Sequence, residues 1–214
     1  MTSARATPAD AAAELVAVQF ALARRGLGLA QAALAGAGRV ESLRHYPRGD
    51  VIDADNRSQF YYHLHGSSRC PAAEHGHFHL FTRRPDGRFS HLAGLSLDDR
   101  GWPLRWFTTN RWVTGETWQW APALSADIDR FAPRTTGRLA PVARWLGAMV
   151  WIHRRGLKAL LRRRDAVVAR HLLRRDADDF FEDRRHDVLT EQRIDLADTL
   201  SRLAGTPPPT PGDN

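Results

Sequence analysis

The chain reads as an α+β protein: an antiparallel sheet of about four or five strands, packed by N-terminal and C-terminal helices. Three features predict this. Short alternating runs separated by tight-turn signals fill residues 58 to 120. An Ala-rich stretch with apolar residues at helical spacing precedes them, and a long stretch with a lengthened apolar period follows. The pattern predicts a single domain over residues 9–204, with its sheet at about 58–120 and helices at about 9–35 and 124–204. Residues 1–8 and the Pro-rich residues 205–214 are expected to be disordered.

From Pro8 to about Leu34, Leu15, Val18, Leu22 and Leu29 recur at near-helical spacing, and Asp10 and Glu14 near the start suit the helix dipole. Gly36 and Gly38 end this segment. Tyr46-Pro47-Arg48-Gly49-Asp50 reads as a turn, Val51 and Ile52 follow, and Asp53-Ala54-Asp55-Asn56 as an exposed loop or helix start. Gln59–Leu64 is a predicted strand, Ser67–Ala73 a loop, and Gly76–Thr82 a second strand. Arg84-Pro85-Asp86-Gly87 and Asp98-Asp99-Arg100-Gly101 are turns flanking a third strand, Phe89–Leu97. Leu104–Thr109 is a fourth, with one more expected near Thr117–Trp120. Such short pieces favour antiparallel pairing.

After Pro122, Leu124, Ile128 and Phe131 suggest a short helix, and Pro133–Gly137 a break. From Val142 through Trp145, Met149, Leu157, Leu161 and Val168 to Leu172, one broad helical face is apolar. Arg154, Arg155, Lys158, Arg162 and Arg163 lie largely off that stripe, although Arg164 does not separate cleanly. Gly156 marks a bend or a close helix contact. Phe180, Val188, Leu189, Ile194, Leu196 and Leu200 are assigned to the last helical part.

Composition narrows the function classes. With 43% apolar residues and seven tryptophans in 214 residues, the chain has the material for one substantial core. Cys70 is the only cysteine, so neither an intramolecular disulfide nor a thiolate zinc cluster is available, which points to a cytoplasmic setting. No signal-type leader and no membrane span is expected. Lys158 is the only lysine, and residues 137–176 carry eleven Arg or Lys against two Asp. This basic helix suits an anionic partner. No base-reading motif accompanies the charge, which argues against nucleic acid. Phosphate loops, zinc-finger spacings and the Gly-x-Ser-x-Gly elbow are all missing.

Six of the ten histidines fall between His63 and His91. Strand alternation puts His63 and His65 on one face, and His75, His77 and His79 on another. If those faces meet, imidazoles converge, which is what a transition metal needs. Same-face residues of one strand stand about 6.6 Å apart, so a site takes two ligands from one strand and one from the other. The order of candidates is His77 and His79 with His63 or His65, then His75, with His91 outlying. Glu74 is a candidate ligand, acid/base or orienting acceptor. A two-histidine, one-carboxylate set favours iron; three histidines suit zinc or copper equally. The alternative for the same residues is hydrogen bonding among the rings, to Tyr61, Tyr62 and Asp side chains, or to water.

Residues 104–120 carry four tryptophans among hydrogen-bonding residues. In a pocket, Trp106 and Trp112 would wall a ligand that Asn110, Thr114 and Glu116 orient, with Tyr61 beside it. Arg111 would clamp a carboxylate as a catalytic or substrate-seating group. Otherwise these rings are ordinary core. Cys70 reads as a free loop thiol.

The runs Tyr46-Pro47-Arg48-Gly49-Asp50-Val51, Ser58-Gln59-Phe60-Tyr61-Tyr62-His63, Glu74-His75-Gly76-His77-Phe78-His79 and Thr108-Thr109-Asn110-Arg111-Trp112-Val113-Thr114 resemble a bacterial family of uncharacterised proteins, a domain of unknown function, from about Leu43 to Leu200. That resemblance implies no activity. A looser likeness is to cupins, in which a His-x-His strand binds metal with a carboxylate and a distant histidine. His63-Leu64-His65 or His77-Phe78-His79 would fill that place, but the downstream Glu and the second cupin motif are missing. The residues together favour a metal-dependent enzyme acting on a small organic molecule. An iron or copper oxygenase or oxidase ranks ahead of a zinc hydrolase. The rival is a non-enzymatic ligand-binding or assembly protein with a His/Trp-lined core or groove.

Overall fold

A computed structural model describes residues 7–65 and 73–205. Along the chain, helices α1 (Pro8–Ala23) and α2 (Leu29–Ala33) lead into strands β1 (Tyr46–Asp53), β2 (Ser58–His63), β3 (Gly76–Arg83), β4 (Phe89–Leu97) and β5 (Pro103–Thr109). A helical excursion follows: α3 (Arg111–Thr114), α4 (Ala121–Arg130), a 3₁₀ turn at Gly137–Leu139, α5 (Ala140–Leu172) and α6 (Ala177–Phe181). Strand β6 (Val188–Arg193) and helix α7 (Leu196–Leu203) complete the described chain. The fold is α+β. Six antiparallel strands lie in sequence order, and β6 joins the edge of β5 after the excursion.

Alternation divides the sheet into two unlike faces. One carries Tyr46, Val51, Phe60, Tyr62, Phe78, Leu80, Leu95, Leu97 and Trp106, and these join Val142, Trp145, Leu146, Met149, Leu157 and Leu160 of α5 in the main core. The other carries Gln59, Tyr61, His63, His77, His79, Phe81, His91, Ser96, Arg105 and Phe107, as the strand register requires. Helix α1 is set by a capping box: Thr7 Oγ1 accepts from the Asp10 amide at 3.1 Å, and the Asp10 carboxylate accepts from the Thr7 amide at 2.7 Å. Its inner residues Ala11, Leu15, Val18 and Leu22 are buried.

Several expectations need correction. The N-terminal helix does not run to Leu34: Gly26 turns the chain at φ +66°, and a new helix starts at Leu29. Tyr46–Asp50 belongs to β1, whose register against β2 is irregular between Tyr46 and Val51. Thr117–Trp120 is not a strand; the Thr117 amide donates to the Phe89 carbonyl at 2.9 Å and the chain turns into α4. Val188 and Leu189 lie in β6, not in a helix. Helix α5 passes Gly156 without a break. That glycine makes room for Gln192 of β6, whose amide nitrogen would lie 3.2 Å from an added Cβ. Arg164 is buried against the Trp118 ring and donates to the Gln119 carbonyl at 2.6 Å. Cys70, most of the Ser67–Ala73 loop and the Pro-rich tail lie outside the described residues. Among those described, no helix is long and apolar enough to cross a membrane.

Gly94 is tightly packed on the ring-bearing face, because an added Cβ would sit 2.2 Å from the Phe107 ring. Gly94→Ala must push that ring aside, and it should lower the unfolding free energy by about 1–3 kcal/mol. A shift of the urea midpoint at unchanged slope would register the loss.

Candidate functional site

The site forms where β2 and β3 pair. His63 is opposite His77 and Tyr61 opposite His79, so the three imidazoles are lateral neighbours on one face. His65 lies just past the end of β2, yet its ring centroid is 4.7 Å from that of His63 and 5.0 Å from that of His77. His63, His65 and His77 each offer a ring nitrogen within 4.8 Å of the other two. The His63 and His77 Nε2 atoms approach to 2.7 Å.

Behind His77 stands a polar chain. His77 Nδ1 is 2.5 Å from Glu74 Oε1, while Glu74 Oε2 accepts from Ser96 Oγ at 2.7 Å and from Arg105 Nη2 at 3.3 Å. Arg105 in turn pairs with Glu191 of β6. Burial alone would raise the Glu74 carboxyl. His77, Ser96 and Arg105 together outweigh it and hold it at about 2. An ionised Glu74 takes the Nδ1 proton of His77 as its partner, which leaves His77 Nε2 as a lone pair facing His63.

Next to this group, His79 is buried, with Nδ1 3.0 Å from His91 Nε2; His91 Nδ1 is 3.2 Å from Thr109 Oγ1. His79 Nε2 is buried without a hydrogen-bond partner. Burial depresses His63 to about 2, reinforced by His77, His65 and His45. It likewise depresses His79, and it brings His91 to about 3 with help from Arg164. Neutral imidazoles are the form in which histidine binds a metal.

Over residues 9–194 the chain matches the family described as Domain of unknown function (DUF6969). It belongs to that family. Neither a curated protein nor a solved structure matches it.

In this DUF6969 member the sequence candidates separate into those gathered at the site and those placed elsewhere. His63, His65 and His77 converge, with His79 adjacent and Glu74 behind. They do so as neighbours on one face of one sheet, not by two faces meeting. His75 does not join them. It precedes the first residue of β3, and its Nδ1 shares a 2.8 Å hydrogen bond with the Tyr62 hydroxyl. Tyr61 lies on the site's face, stacked on His45 at 3.5 Å between ring centroids and 5.2 Å from His79. Its hydroxyl pKa is raised by burial and by Asp50.

The tryptophan stretch is not a wall of this site. Trp106 points to the helical face and meets His153 of α5. Asn110 caps α3 and donates to the Phe180 carbonyl at 2.8 Å, and Trp112 Nε1 donates to the His186 carbonyl at 3.1 Å. Arg111 is held by Glu182 and Asp178 at 2.9 and 3.0 Å, over the Phe181 ring. Its guanidinium serves α6 and not a substrate beside the histidines. Thr114 belongs to α3, and Glu116 accepts from the His91 amide at 2.6 Å. Ser96 and Arg105 are site residues that sequence reading missed. They become visible only through the pairings His77 with Ser96 and Ser96 with Arg105.

These buried groups set the acid stability of the metal-free protein. His63, His79, His91 and His153 have folded pKa values below the unfolded 6.5; burial is the leading cause in each, and His153 falls to about 4. Their stabilisation is present above pH 6.5 and is lost as pH falls toward the folded values. Glu116, raised by burial to about 8, works in the opposite sense between 4.5 and 8. Near pH 5, unfolding should therefore take up about three protons, four to histidine less one already held by Glu116. Urea midpoints measured in chelator should climb steeply from pH 4.5 to 6.5, and His91→Gln should reduce that slope by about one proton.

Proposed function

We propose that His63, His65 and His77 hold a first-row transition-metal ion, and that the protein is a metal-dependent enzyme acting on a small organic molecule. The observation that carries this reading is the convergence of three imidazole nitrogens, one of which is backed by an ionised carboxylate. Nitrogens bound to one tetrahedral ion at 2.0–2.1 Å stand about 3.3 Å apart. The 2.7 Å His63–His77 contact and the 4.8 Å envelope bracket that separation.

Three protein ligands leave a coordination position open, as catalytic centres do and closed structural sites do not. When bound, the ion supplies Lewis acidity, or one-electron chemistry if it is copper or iron. Glu74 fixes the His77 tautomer and raises its basicity, with Ser96 and Arg105 holding the carboxylate in place. The depressed pKa of His63 keeps its nitrogen available at neutral pH. Because both Glu74 oxygens are engaged with His77, Ser96 and Arg105, the set is three nitrogens rather than two nitrogens and a carboxylate. That favours zinc or copper over iron. Phe107, whose ring centroid is 5.0 Å from His77, and Tyr61 give the surroundings an aromatic character suited to an organic substrate.

Elemental analysis of untagged protein should find close to one ion per chain. His63→Ala, His65→Ala and His77→Ala should each abolish that stoichiometry, Glu74→Gln should weaken affinity about 10–100-fold, and His75→Ala should leave it intact. Metal retained in the triple variant, or lost equally in His75→Ala, would refute the site.

A further inference from the structure

Helix α1 is apolar on both sides. Ala11, Leu15, Val18 and Leu22 face the core, while Ala9, Ala12, Ala13, Val16, Ala17 and Phe20 face outward. Val16 and Phe20 are 53% and 65% exposed. Together with Leu200 and Leu203 of α7 and Ala204 just past its end, the outward residues line an open apolar groove of about 530 Å³. A helix apolar all round normally belongs in an interior, so this face calls for a cover.

We propose that the cover is a second copy of this chain, docked by antiparallel pairing of the two α1 helices about a two-fold axis near Ala17. Charge selects both the occupant and the direction. The outward face has Asp10 near its N-terminal end and Arg24 and Arg25 just beyond its C-terminal end. Neither arginine makes an ion pair among the described residues. An axis at Ala17 sets Asp10 opposite Arg24 of the second copy, at both ends of the pair. The same operation sets the large Phe20 beside the small Ala13 and opposite Glu14, whose carboxylate is turned to Arg144 at 2.7 Å. Antiparallel helix dipoles add to the preference. At 1.5 Å per residue the 16-residue helix offers a contact roughly 24 Å long. Parallel pairing would put like charges together.

Sedimentation equilibrium of the full chain should give about twice its 24.1 kDa mass. Phe20→Glu and Val16→Glu alter exposed positions and should leave the fold intact by circular dichroism, while weakening self-association by at least about tenfold. With Cys70 replaced by Ser, Ala17→Cys should form an intermolecular disulfide on oxidation and Ala9→Cys should not, because only position 17 meets itself. A chain that stays monomeric, or a dimer unaffected by Phe20→Glu, would overturn the proposal. So would equal cross-linking at both positions. Metal content plays no part in this test.

Discussion

The candidate site depends on the register between β2 and β3. A slip of β2 by one residue against β3 would turn His63 toward the helices, away from His77, and bring Tyr62 out with the polar groups. What holds the register is the opposite face. Phe60, Tyr62, Phe78 and Leu80 are fully buried against the helical layer, and each belongs to a strand position adjacent to a histidine or tyrosine of the site. The apolar core thus fixes residues it does not touch, and the imidazoles meet because hydrophobic burial leaves the two strands one alignment.

That alignment also makes a costly arrangement tolerable. Three neighbouring imidazoles taken from water need partners for a donor and an acceptor each. Glu74 resolves the ambiguity for His77 by accepting a hydrogen bond from its Nδ1–H, after which the short contact to His63 is favourable only if His63 donates through Nε2. A metal ion placed between the two would replace that single proton, and burial has already made protonation of His63 unfavourable. Proton and cation therefore compete for the same lone pairs. The folded environment disfavours adding more protons without removing the nitrogens' ability to coordinate.

Much of this was legible in the residue pattern. The two-residue period of β2, β3 and β4 and the long apolar stripe of α5 are strong because burial on one face enforces them. Strand β6 escaped because its residues are partly exposed at a sheet edge, so Val188-Leu189-Thr190-Glu191-Gln192-Arg193 carries no clean alternation. Strand β1 escaped because Pro47 and Gly49 write turn chemistry into an irregular edge. His75 has the same parity as His77 and His79, but parity fails where a strand begins, and β3 begins at Gly76. Composition could bring Glu74 forward as a candidate, yet Ser96 and Arg105 depend on cross-strand pairings that no local pattern encodes.

The tryptophan-rich stretch illustrates a different failure. Aromatic rings among polar residues suggest a pocket, but the physical need they meet here is to seal the excursion between β5 and β6 onto the sheet. Asn110, Arg111 and Trp112 reach across some seventy residues to Phe180, Glu182 and His186. Arg164 is buried between α5 and the chain leading into α4, under Trp118. Anchoring the excursion in this way brings β6 back beside β5, where Glu191 meets Arg105. Arg105 braces Glu74, and Glu74 orients His77. Residues that do not line the histidine site still act on it, because the far end of the sheet must be closed before the carboxylate behind His77 has its full set of partners.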